Sequence, residues 1–189
     1  MGALMQPLTA VSAASPNAWF PIQRTAAEIS EPGPANRYVS WPYTKFMCAM
    51  NQINQSAALL LTSVGHARTS GIPEERWVYL HGAGDVQDIW HVSERSAYAA
   101  SPAMALMGER ALAQAGLEIS DISYFDLYSC FPSAVAIGRD ALGLSPNDPR
   151  PLTVTGGLPY HGGAGNNYSM NAVATMADQL RAEPGSFGM

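Results

Sequence analysis

Charge is the first thing this sequence has little of. Of its 189 residues, 13% are Asp, Glu, Lys or Arg, against roughly 25% in an ordinary soluble domain. Ten basic residues face fifteen acidic ones, for a formal net charge of −5. With no basic run anywhere, the electrostatic footprint that nucleic acid or an anionic membrane surface demands is missing, and both are set aside as partners. With 47% apolar residues, part of so neutral a surface is expected to be covered, so a burying partner is the first expectation. Cysteine is scarce as well. Cys48 and Cys130 show neither the local pairing of a metal site nor the density of a disulfide scaffold, and are read as reduced thiols. His66, His81, His91 and His161 are scattered and form no close pair with one another or with a cysteine, so no metal is expected. No apolar run is long enough to span a bilayer, and the first residues lack the basic start and apolar core of a secretory signal. The expectation is a cytoplasmic chain without a membrane span.

From Met1 to about Ala49 the sequence mixes Pro, Ser, Asn and isolated aromatics without a sustained period, as in "SEPGPANRYVSWPY". This reads as a loop or excursion that wraps over another surface, preceded by "MGALMQPLTAVSAAS", which resembles the tail of a helix. Beyond it the pattern is regular. "AALLLTSV" (Ala57 to Val64) and "RWVYLHG" (Arg76 to Gly82) have the short, apolar, turn-bounded form of buried strands, with a helical segment near His66–Ser70 between them, closed by Gly71 and Pro73. The clearest helix starts after Ser101, a good N-cap, has Pro102 at its first position and Gly116 at its left-handed stop. Next come a strand "ISYFDLY" (Ile122–Tyr128), a helix through Ala134, Gly138 and Leu142, a strand "PLTVT" (Pro151–Thr155) and a helix through Val173, Met176, Ala177 and Leu180. Alternating strand and helix predicts an α/β fold with its site where strand-to-helix loops meet.

The glycine-rich stretch "TVTGGLPYHGGAGNNYSMN" (Thr153–Asn171) lies between the last strand and the last helix, so its amides and the helix N-terminus can face an anion or a developing negative charge. A dinucleotide fingerprint fails because Tyr168 stands where the third glycine belongs, and a P-loop fails for want of its lysine. His161 is the one titratable side chain in the loop core, either catalytic or a histidine satisfying local carbonyls. Cys130 sits at a strand-to-helix junction where a helix dipole lowers a thiol pKa, but a small buried thiol beside Phe131 is the commoner explanation. No Gly-x-Ser-x-Gly elbow supports a serine hydrolase: "PGSFG" has Pro184 at the first position. Asp85 and Asp88 are assigned no catalysis.

"DLYSCFPSAV" followed by "ALGL", and then "PLTVTGGLPYHGGAGNNYSMNAVATM", resembles the C-terminal half of the thiolase superfamily. The similarity is to thiolase-like acetyl-CoA acetyltransferases related to sterol-carrier-protein thiolases. "RYVSWPYTKFMCAMNQINQSAALLLTS" is similar to the family's segment from its loop excursion to the final strand of the N-terminal half. The resemblance implies a layered sheet covered by helices. It divides the chain into residues 1–80, the excursion and the last strand of the N-terminal half, and residues 81–189, a C-terminal half that stops before its last motif.

It implies acyl transfer through a cysteine thioester, with a coenzyme A (CoA) thioester as substrate and no permanently bound cofactor. By position, His161 matches the histidine that helps activate the nucleophile and donates to the thioester oxygen, and Tyr128 matches the asparagine or histidine orienting an oxyanion-hole water. Gly162, Gly163 and Gly165 are expected to let the thioester approach the backbone, and Asn166 or Asn167 to cap the following helix. The turn "YHGGAG" is shorter than the family's and lacks its proline, and a phenol replaces the amide or imidazole. The family's nucleophilic cysteine and its C-terminal cysteine find no counterpart here, since Cys130 matches a packing position. The expected partner is therefore a missing N-terminal thiolase half or a second copy. Two alternatives accompany acyl transfer: a retro-aldol lyase on a CoA ester with Tyr128 as the proton-transfer group, and a non-catalytic CoA- or lipid-binding subunit.

Overall fold

The computed structural model describes residues 1–189. The N-terminal stretch is more ordered than its composition predicts. Helix α1 (Gly2–Ala14) packs on α2 (Ala26–Ser30). The two meet so closely at Gly2 that a Cβ there would collide with the Ala26 carbonyl. The short α2 is fixed by a capping box: Thr25 Oγ1 accepts from the Glu28 amide at 3.2 Å while Glu28 Oε2 accepts from the Thr25 amide at 2.7 Å. An antiparallel pair, β1 (Tyr38–Ser40) and β2 (Tyr43–Thr44), follows. The buried side chain of Asn36 ties this stretch together by donating to the carbonyls of Glu28, Ile29 and Glu31.

The main apolar cluster joins Met5, Leu8, Ile29 and Met47 of this stretch to Val135 and Tyr160. The excursion thus builds the core with the segments around the glycine-rich loop. A second cluster of Ile122, Phe125 and Leu144 lies under β3 (Ile122–Tyr124). Helix α3 (Val64–Thr69) is capped by Ser63 and followed by Gly71 at φ +67°. Helix α4 (Pro102–Ala115) is as its termini predict, with Ser101 Oγ accepting from the Met104 amide at 3.2 Å and Gly116 at φ +68°. Helices α5 (Pro132–Ala141) and α6 (Tyr168–Ala182) complete the set, and β4 (Phe187–Gly188) pairs in parallel with β3. No helix is long and apolar enough to cross a membrane.

The strands expected at 57–64, 76–82 and 151–155 belong to no ladder. Residues 151–155 run beside the continuation of β3, with the Leu127 amide donating to the Leu152 carbonyl at 2.9 Å. Residues 51–62 and 78–90 make no backbone–backbone hydrogen bond at all. Their burial nevertheless alternates residue by residue over 52–60 and 81–89, the period of a strand with one face covered. Pairing is a property of two segments, and the apolar pattern that identifies a strand does not contain its neighbour.

Candidate active site

The site is built at the end of the β3 continuation, where Asp126 reaches the start of the glycine-rich loop. Its Oδ2 accepts from Thr153 Oγ1 at 2.8 Å, Thr155 Oγ1 at 3.0 Å, and the amides of Val154 and Thr155 at 3.1 and 3.2 Å. Its Oδ1 accepts from the Tyr168 hydroxyl at 2.8 Å. One carboxylate thereby holds the end of an irregular strand to the first residue of α6. The chain then turns through Gly156 and Gly157, at φ +106° and +81°. Both conformations favour glycine, and the space demands it too: a Cβ on Gly156 would lie 2.5–2.8 Å from Ser12, and one on Gly157 2.5 Å from Ser129 Oγ. The turn closes with the His161 amide donating to the Gly157 carbonyl at 2.8 Å.

His161 is only 2% exposed. Its carbonyl accepts from the Trp19 amide and from Gln55 Nε2, both at 2.9 Å, so two distant segments fix its backbone. Burial pushes the imidazole pKa below the ordinary histidine range, and the negative charge of Asp126 and a hydrogen bond to the Thr155 backbone offset part of that. The ring packs edge-on against Tyr168, centroids 6.2 Å apart, and Tyr128 packs against the same Tyr168 ring at 5.8 Å. The two predicted residues therefore flank one tyrosine without touching each other through a hydrogen bond. Tyr128 is 49% exposed, so a buried imidazole and an accessible phenol both pack against the Tyr168 ring. Burial, and next the Asp126 charge, push the Tyr168 phenol well above its usual range, which keeps it a neutral donor.

His161 also lines a cleft of about 290 Å³ between residues 55–58 and α6, whose wall includes Gln55, Asn171 and Asp178. Buried side-chain atoms of His161 (Nδ1), Gln55 (Oε1) and Asn171 (Nδ2) have no hydrogen-bond partner. The predicted glycines differ in kind. A Cβ on Gly162 would meet Ile53 and Gln55 at 2.6–2.7 Å, and one on Gly163 would meet Leu158 at 3.2 Å, whereas Gly165, at φ +57°, has open space around it. The helix cap expected of Asn166 or Asn167 is not formed: Asn167 stands at the N-cap of α6, but its side chain donates to Asn171 Oδ1 at 3.3 Å instead of accepting from the helix. Neither cysteine is a poised thiolate. The Cys48 thiol is buried against the Thr44 carbonyl, and burial pushes both thiols up.

Sequence reasoning misses the hub itself, formed by Asp126, Thr153, Thr155 and Tyr168. Its one sequence signal is Asp126 inside an otherwise apolar strand, and its partners lie 27 to 42 residues away.

No protein-family model and no curated protein matches the chain. Among solved structures, a monomeric SCP2-thiolase-like protein type 1 from Mycobacterium smegmatis superposes with a TM-score of 0.92 and 44% identity, covering 100% of this chain. The chain belongs to the thiolase superfamily, among its SCP2-thiolase-like members. It spans 41% of that relative's chain. A second structure, the Ltp2-ChsH2(DUF35) aldolase, shares the fold at a TM-score of 0.73 and 21% identity, over 98% of this chain and 52% of its own. The thiolase-like α/β assignment holds even though the ladders are short, because the helices and extended segments occupy the positions of that fold.

Proposed function

We propose that this chain provides one wall of a thiolase-type site that transfers an acyl group to or from CoA thioesters. The observation that carries the reading is His161: a buried, neutral imidazole in a glycine turn, beside the Asp126 charge that favours its protonated form. In acyl transfer, the S–H proton of an attacking cysteine passes to this imidazole while sulfur bonds to the acyl carbon. The bond from that carbon to the CoA sulfur breaks, and the imidazolium returns its proton to the departing thiolate. Tyr128, at the accessible side of the site, donates its phenol hydrogen to the thioester oxygen, and Gly165 is where the backbone is free for close approach. The attacking cysteine comes from further polypeptide, since Cys48 and Cys130 are held as thiols. The relative is described as monomeric, which favours the rest of the same fold, rather than a second copy, as the source.

Intact mass after incubation with acetyl-CoA tests this, with the chain alone and with a co-expressed N-terminal thiolase half. Acetylation confined to the added half, and lost with His161→Ala in this chain, is expected. Acetylation of this chain by itself sinks the reading.

A second reading, retro-aldol cleavage of a CoA ester with Tyr128 as proton-transfer group, draws support from the half-exposed phenol and from the aldolase sharing the fold. Tyr128→Phe separates the two: it abolishes cleavage but only weakens acyl transfer.

A further inference from the structure

Asp126 is a carboxylate without a counter-ion. It accepts five hydrogen bonds and donates none, yet none of the ion pairs in the chain includes it. Holding the backbone does not require a charge here. The next three amides of the same turn, those of Gly156, Gly157 and Leu158, are met by the neutral hydroxyls of Thr153, Thr155 and Ser129. The charge stands instead where it bears on His161. From Asp126 Oδ2 the contacts run through Thr155, whose hydroxyl and amide lie 3.0 and 3.2 Å away, to the imidazole, which hydrogen-bonds to the Thr155 backbone. From Oδ1 they run through the Tyr168 hydroxyl at 2.8 Å to a ring that packs on the imidazole with centroids 6.2 Å apart. The other segments near the imidazole bring no free charge. Asn17 and Gln55 are neutral, and α6 adds only Tyr168 and Asp178, the latter already paired with Arg181 at 2.8 Å.

We propose that Asp126 is the positioning residue for His161: it fixes the strand end against which the imidazole is set and supplies the negative charge that answers the ring when it takes up a proton. The proposal rests on the reading above, in which His161 is the proton acceptor. As the sulfur of the attacking thiol bonds to the acyl carbon, its proton moves to the imidazole, and the ring becomes a cation in a buried place, where an uncompensated charge is costly. Asp126 offsets that cost without receiving the proton, which returns to the departing CoA thiolate. In a Ser-His-Asp triad the carboxylate does this by bonding to the ring directly. Here Thr155 and Tyr168 stand between, so the same carboxylate also ties the loop that carries the ring to α6.

Asp126→Asn tests this because an amide keeps the shape. Its oxygen takes the place of Oδ2, and its nitrogen donates to the Tyr168 hydroxyl, which turns its own hydrogen to Thr155 Oγ1, a pair in which either atom can donate. Only the charge is lost. In nuclear magnetic resonance of the 189-residue chain, the His161 ring is expected to titrate at lower pH in Asp126→Asn than in wild type. In Tyr168→Phe, which removes a hydrogen bond and keeps the charge, it is expected to titrate at or above the wild-type pH. With a co-expressed N-terminal thiolase half, Asp126→Asn is expected to slow acetyl transfer from acetyl-CoA about tenfold at neutral pH and to move the acidic limb of the pH profile downward. Wild type supplies a check that needs no variant: the Asp126 carboxyl carbon resonance is expected to shift at the His161 midpoint. A carboxyl that does not sense the ring, or an Asn variant that is slow while its ring titrates at the wild-type pH, overturns the proposal and leaves Asp126 a structural anchor. A moved titration in a complex that transfers no acyl group upholds the coupling and sinks the acyl-transfer reading instead.

Discussion

Residues 153–161 and residues 78–90 are both irregular stretches containing two glycines, yet the first is almost wholly buried and the second has no buried residue. Neither belongs to a ladder, so the difference lies in what satisfies the backbone. In the first, side chains do it: Asp126 takes the amides of Val154 and Thr155, Thr153 Oγ1 that of Gly156 at 2.9 Å, Thr155 Oγ1 that of Gly157 at 3.1 Å, and Ser129 Oγ that of Leu158 at 3.0 Å. In the second, side chains reach only the amides of Ala83 and Ile89 and the carbonyls of Asp85 and Ile89. A chain can bury irregular backbone only where it brings polar side chains to it. Where it does not, the backbone stays with water or waits for another polypeptide.

The sharpest way to break this contrast is at its centre. Asp126→Ala removes the one acceptor shared by two amides and three hydroxyls and leaves the Val154 amide without a partner, and unfolding by denaturant is expected to show a loss of about 4 kcal/mol. A loss under about 1 kcal/mol would mean that water replaces the carboxylate and that the loop is held by packing alone.

Gly156→Ala is expected to cost about 3 kcal/mol, since a Cβ meets the Ser12 backbone at 2.7–2.8 Å and the φ of +106° disfavours any other residue. The same change at an uncrowded glycine outside both stretches has the opposite sign. Gly65, in α3, has nothing within 4 Å of a new Cβ, so Gly65→Ala is expected to stabilise by about 0.5 kcal/mol through helix propensity. Melting of both variants side by side checks the pair.

How much of this was legible beforehand follows the same line. Helix α4 was readable because Ser101, Pro102 and Gly116 act on their own neighbours. The Thr25–Glu28 capping box was also present in the sequence, although the prolines around it made the stretch read as loop. The importance of His161 and Tyr128 came from resemblance, and the geometry adds that both pack against Tyr168. What no local pattern carried was the hub, whose members are brought together only when 153–155 lies beside 126, and the absence of ladder partners for 51–62 and 78–90. The misplaced expectation for Asn167 has a similar cause: a side chain that can cap the helix found Asn171 one turn on instead.

Acid sharpens the comparison less drastically. His161 has a folded-state pKa below its ordinary value, so below about pH 6.5 the unfolded chain binds a proton that the folded chain resists. Its contribution to stability is complete above that pH and is lost as pH falls toward the depressed folded value. His161→Phe removes the titration, so between pH 6.5 and 5 the wild-type midpoint is expected to fall more steeply than the variant's. Parallel curves would mean that water reaches the His161 ring in solution.

The smallest effect belongs to the open face. Leu60 and Leu80 are so exposed that Leu60→Ser and Leu80→Ser remove almost no buried surface, and the melting midpoint of the isolated chain is expected to move by less than about 0.5 kcal/mol equivalent. The same changes delete exposed apolar side chains from stretches, 51–65 and 77–84, that carry no charge to discourage pairing, so the concentration at which the chain aggregates is expected to rise. Stability and association then respond in opposite places: the Asp126 hub sets the first and the unpaired strands the second. If instead the serine variants melt early, those leucines are already buried in solution and the contrast between the two stretches collapses.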